Sequence, residues 1–241
     1  GMLLYSGRGV DEESLARAMD AILAGTSLRG VEDISRERGE RLARGRAFLD
    51  ALDREQLNRL VGPGQWYRTY RIDEDGAEVE VGCMRVEVLP GVRGMVDPAR
   101  DPEQYSMSER DPGLLVRVAG RFPVTDGLVR SSQAVHWMAW DQSAEQWSVV
   151  ATVQDGRQSD SEALTGIREP RSGASPRGSI TVLRARERGP TEPPAIWPVP
   201  DALLSQPVRW MLGELMVASQ APPGIYAWYA VDASSGRPDL T

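Results

Sequence analysis

Lysine is absent from the 241 residues, and all 28 basic side chains are arginine. That excludes a phosphate-loop lysine, a Schiff-base lysine and a serine/lysine dyad. Cysteine occurs once, at Cys83, so no intramolecular disulfide can form and cysteine usage assigns no redox compartment. The expectation for Cys83 is a buried small apolar side chain in a strand. Histidine also occurs once, so two-histidine metal motifs are excluded and any acid–base imidazole has to be His136. No Gly-x-Ser-x-Gly elbow supplies a nucleophile for it, and its place among Ala134, Met138 and Trp140 reads as a structural, hydrogen-bonded histidine.

There is no apolar run of transmembrane length and no internal repeat at a fixed period. The opening MLLYSGRGV lacks the apolar core of a signal peptide, which sets the expectation of a cytoplasmic protein if Met2 is the native start. Basic charge is also outnumbered. A net charge of -7 argues against nucleic acid or an anionic membrane as partner, because counterion release needs concentrated positive charge. Nothing in the composition sets the oligomeric state.

What is present is β structure. The stretch from Gly113 to Val153 reads as three consecutive strands, PGLLVRVAGRF, GLVRSSQAVHWMAW and QWSVVATVQ, separated by turns. Leu114, Val116 and Val118 share one face of the first, whereas Ala134 to Trp140 carries apolar groups on both faces and is expected to be covered on both. Upstream, Trp66, Arg68, Tyr70 and Ile72 alternate with Tyr67, Thr69 and Arg71. After the turn at Asp73 to Gly76, the apolar phase of the next strand shifts from Val79 and Val81 to Met84, Val86 and Val88. Such a shift needs one extra residue, a β-bulge near Gly82 and Cys83 that bends the strand. Later strands are expected at Ala163 to Glu169, Ser179 to Glu187 and Ile225 to Asp232, with a further one cut short near Leu240.

Helical periodicity marks Glu12 to Leu23, Arg36 to Ala51, and Val208 to Val217 after the helix-starting Pro207. Asp53 and Gln56 form the pattern of a capping box that opens a short helix to Leu60. The fold class is therefore α+β: a curved, mainly antiparallel, half-barrel-like sheet with N-terminal helices and a helix inserted before a late strand. The expected organisation is a helical segment over 1–60 packed on a β-rich main domain over 61–241, and the alternative is a separate helical domain ending near Leu60.

This order of pieces, from Val61 to Asp232, resembles the periplasmic lipoprotein-carrier superfamily of LolA and LolB, a half-barrel that wraps helices around an apolar cavity. The resemblance implies the cell envelope and a lipid-like ligand, and carries no binding residue over. From the residues, no catalytic group, metal site or cofactor is assigned. Val61-Gly-Pro-Gly-Gln65 is not a dinucleotide fingerprint, because a proline separates the glycines and a strand follows.

The expected function is a non-catalytic binding or carrier domain for an apolar small molecule or lipid, its pocket bounded by Trp66, Tyr70, Met138, Trp140 and Trp228. One alternative is a structural or protein-interaction module. Another is a carboxylate- or metal-dependent hydrolase using Asp97, Asp101, Glu103 or Glu109 of the polar 97–111 loop.

Overall fold

The computed structural model describes residues 30–124, 127–155, 158–170, 178–189, 192–232 and 236–241. The helix expected at Glu12 to Leu23 lies outside them. The chain divides into two compact units, 1–40 and 41–241. In the first, the described residues open helix α1 (Val31–Ala51), where Val31 and Ile34 are exposed and Arg36 pairs with Asp33 at 2.7 Å.

The second unit carries the rest. Eight antiparallel strands follow in sequence order: β1 (Gly62–Ile72), β2 (Glu78–Val92), β3 (Pro112–Pro123), β4 (Leu128–Ala139), β5 (Glu145–Asp155), β6 (Gln158–Glu169), β7 (Ser179–Arg186) and β8 (Ala195–Pro198). The sheet is not closed, and β1 and β8 are its edges. Helix α2 (Arg54–Asn58) precedes β1. Helix α3 (Gln206–Ala218) precedes a small separate ladder of β9 (Tyr229–Val231) and β10 (Pro238–Leu240).

The local signals act as their chemistry requires. Asp53 accepts from the Gln56 backbone at 2.8 Å and Gln56 answers at the Asp53 N–H, the reciprocal capping box that opens α2. Ser205 caps α3, and Pro207 sits in its first turn. In β2 the pairing passes from Thr69–Gly82 to Tyr70–Glu80, so Val81 is the extra residue of the bulge. Gly82 has φ +150, and a Cβ there would lie 2.4 Å from the Phe122 ring, so the bulge needs glycine. Cys83 beside it is half-buried.

One face of the sheet bears the helices. Leu114, Val116 and Val118 of β3 and Ala134 and Met138 of β4 join Phe48, Leu49 and Leu52 from the end of α1, Leu57 of α2, and Val208, Met211 and Leu215 of α3. Each such aliphatic side chain contributes roughly 1.5–3 kcal/mol through burial. The helix end approaches the late segment so closely that a Cβ on Gly45 would meet the Ala227 carbonyl oxygen at 2.1 Å. Among the described residues, the opposite face is covered at one end only, where Leu115 and Trp137 pack with Val96 of the short 3-10 segment Arg93–Val96. The end of β4 is thus apolar on both faces because both are covered.

Two expectations shift, and one strand is added. The strand expected over Ile225 to Asp232 shortens to β9: the Ala227 N–H bonds the Arg41 carbonyl of α1, and Tyr226 stacks on Trp228 at 5.7 Å, so that alternation belongs to an extended segment outside a ladder. Strand β6 begins at Gln158, since its polar half still pairs with β5. Proline-rich Ala195–Pro198 pairs as an edge strand, the position that tolerates missing N–H donors.

Candidate functional site

The five residues expected to bound a pocket do not come together as one group. Met138 is fully buried on the helix-bearing face, where Ser205 Oγ lies 3.1 Å from its sulfur. Trp228 is buried in the same core and its indole donates to the Gly45 carbonyl at 2.9 Å. Trp140 is half-buried against that core, with the Arg54 guanidinium 5.0 Å above its ring. Trp66 and Tyr70 stand apart, 68% and 43% exposed on β1. Their neighbour Tyr67 donates to Glu214 of α3 at 3.0 Å, which places Tyr67 on the helix side and, by strand alternation, Trp66 and Tyr70 on the other.

Three carboxylates of the 97–111 loop are occupied locally. Asp97 accepts from the Ala99 N–H and Asp101 from the Glu103 N–H. Glu109 accepts from the Ser106 N–H and hydroxyl and pairs with Arg100 at 2.9 Å, and the Ser106 hydroxyl foremost holds its carboxyl below the usual range. Among the described residues, no group of three His, Cys, Asp or Glu gathers in a way that could hold a metal ion. His136 is buried, and its Nε2 accepts from the Trp210 indole at 3.2 Å.

A concavity lies elsewhere, a cleft of about 780 Å³ where the end of α1, the β4–β5 turn, the end of β6 and the segment before α3 meet. Its construction starts at the turn. Gln142 takes a left-handed backbone (φ 57) and its side-chain amide donates to the Leu52 carbonyl at 2.9 Å, tying the turn to the end of α1. Asp141 accepts from the Ser143 N–H and hydroxyl, and these bonds, the hydroxyl first, hold its carboxyl low.

Arg168 is the best-fixed polar group in the wall. Its Nε donates to Glu145 Oε1 at 3.1 Å and its Nη2 to the Gln142 carbonyl at 2.7 Å, and only 13% of its side chain is exposed. Glu145 is buried beneath it, and its other oxygen accepts the Gln206 N–H in the first turn of α3 at 2.9 Å. Burial pushes the Glu145 carboxyl up, against the opposing pull of Arg168 and the Gln206 N–H. A helix N-terminus and a guanidinium are the two partners a buried carboxylate needs.

The cleft is amphipathic. Leu49, Leu52, Val199 and Leu203 form apolar wall, and the charged lining, Arg46 and Arg168 against Asp50, Asp141, Glu169 and Asp201, is net negative. The sequence reading did not single out Glu145 or Arg168. The signal was there: Glu145 stands in phase with Trp147 and Val149, and Arg168 with Leu164 and Gly166, charged groups on the apolar face of their strands. Comparison with family models, curated proteins and solved structures finds no match for this chain.

Proposed function

We propose that the protein is a non-catalytic binding domain that holds a small amphipathic molecule in the cleft beside Arg168. The observation that carries this reading is the cleft itself, a concavity of ligand size walled by four segments and braced by Arg168, Glu145 and Gln142. The apolar part of the ligand lies on Leu49, Leu52, Val199 and Leu203. Its head is neutral or cationic, because the charged lining is net negative and Arg168 already has a carboxylate partner. Half-barrel carriers such as LolA and LolB belong to the same class of function. What supports that link is the unclosed antiparallel sheet with helices on one face, and it implies an envelope protein and a lipid-like cargo.

Three probes with one tail test the reading: octylamine, octyl glucoside and octanoate, each below its micelle concentration, followed by methyl NMR. Octylamine and octyl glucoside shift the methyls of Leu49, Leu52, Val199 and Leu203, and octanoate binds at least about tenfold more weakly, a difference of about 1.4 kcal/mol. Ser143→Trp, in the exposed turn, blocks the two binders. Absence of shifts at those four residues with all three probes overturns it.

A further inference from the structure

The two edges of the sheet are unlike each other. Strand β8 is four residues long, ends in Pro198 and follows Pro193 and Pro194, the short proline-blunted form of edge that resists pairing. Strand β1 is eleven residues long, and no described strand pairs with its outer side. Along it Trp66 is 68% exposed, Tyr70 43% and Ile72 62%. A long edge carrying exposed aromatics is a template for another strand.

The sequence of the edge says which strand fits. In an antiparallel pair related by a two-fold axis through the sheet, residues facing each other across the junction are of the same parity and centred on one position. Centring on Arg68 would set two guanidiniums, each already paired with Glu80 at 2.8 Å, against each other and give neither a new partner. Centring on Tyr67 brings Pro63, which has no N–H, and two glycines into the ladder. Centring on Thr69 avoids both: Trp66 meets the second copy's Ile72, Arg68 meets its Tyr70, Tyr67 meets its Arg71, and Thr69 meets Thr69. Both arginines face aromatic rings and both exposed apolar groups face each other. Arg68 already lies 6.0 Å from the Tyr70 ring within one chain, so the cation–aromatic contact is one these side chains reach.

We propose that β1 is a self-association edge, and that two copies of the chain join through it, centred on Thr69, into one continuous sheet. The occupant is a second copy because the charge and aromatic pattern of β1 is complementary to its own reverse. The inference is independent of the cleft, which β1 does not line.

Sedimentation of the full chain from about 1 to 200 µM tests it, a range that brackets a micromolar association. The expected result is a concentration-dependent dimer. Trp66→Lys and Tyr70→Lys, both at exposed positions, weaken it at least tenfold and leave the melting temperature of the dilute monomer unchanged. Thr69→Cys in a Cys83→Ala background gives a covalent dimer on mild oxidation, because opposed residues across such a junction approach within disulfide reach. A chain that stays monomeric at the highest concentration, or a dimer whose dissociation constant ignores Trp66→Lys and Tyr70→Lys, overturns the proposal.

Discussion

Leu114 and Leu115 are neighbours in β3, neither exposes any surface, and they belong to different cores. Leu114 faces the helices, in a layer that three helices and a tryptophan seal. Leu115 faces the other way, under the four-residue 3-10 segment Arg93–Val96. Further along the same strands that second face opens to solvent, with Arg117, Ala119, Gln133 and Val150 exposed. The difference lies in the cover, since the strands are common to both faces. Helices bury a row of residues across several strands, whereas a loop buries a patch. Stability should therefore concentrate on the helix-bearing face, and no described strand pairs with the outer side of the β1 edge.

The strongest way to break this comparison is to remove the cover. Deleting residues 1–40 leaves the unit 41–241 whole, and it should still unfold in one cooperative transition. Deleting 1–60 also removes Phe48, Leu49, Leu52 and Leu57, which are packed in the main core, and the remainder should lose cooperative melting by circular dichroism. A cooperative 61–241 fragment would mean that the helices are not needed to seal that face.

The next largest effect is at the polar end of the same face. Glu145→Ala leaves the Arg168 guanidinium without its buried carboxylate, and breaking a buried pair costs about 3–5 kcal/mol in urea unfolding. Glu145→Leu with Arg168→Met should cost less than the two single changes summed, because no uncompensated charge remains. Additive losses would show that the two side chains act separately.

The adjacent leucines then compare the faces directly. Leu114→Ala should cost about 3–4 kcal/mol and Leu115→Ala about 2–3 kcal/mol, since a 3-10 segment can settle into the space left more readily than a helix layer. Equal or reversed losses in denaturant unfolding would put the two cores on the same footing.

Much of this fold was legible because the sequence states local chemistry plainly. The phase shift near Gly82 and Cys83 located the bulge to within a residue or two, the spacing of Asp53 and Gln56 located α2, and Pro207 marked the start of α3. The doubly apolar stretch Ala134 to Trp140 announced cover on both faces. The site was less legible, for a physical reason. Periodicity places Trp66 and Tyr70 on one face of β1 but does not say whether that face is packed, and Tyr67, one residue away, is the one that reaches α3. Likewise Glu145 and Arg168 lie 23 residues apart and meet only through the β5–β6 register, which a single strand cannot specify.

His136 allows the mildest test. It sits on the helix-bearing face with Nε2 accepting from the Trp210 indole, and burial, with the Arg209 charge as a smaller cause, pushes its imidazole down to about 3. Unfolded, the ring titrates near the ordinary histidine value of about 6.5. Below that pH the unfolded chain takes a proton that the folded chain refuses until about pH 3, so this contribution is complete above 6.5 and declines as the pH falls towards 3. From pH 6.5 to 5 the decline amounts to about 2 kcal/mol. Glu145, whose carboxyl is raised, works the other way, holding its proton in the folded state first as the pH falls. A difference measurement removes it: the stability gap between the native chain and His136→Phe, from urea unfolding, should fall by about 2 kcal/mol between pH 7 and 5. As the only histidine, His136 also gives a single imidazole signal in a proton NMR titration, and that signal should not move down to pH 5. A midpoint near 6.5 would mean that solvent reaches the ring, and that the helix-bearing face is not sealed where α3 crosses β4.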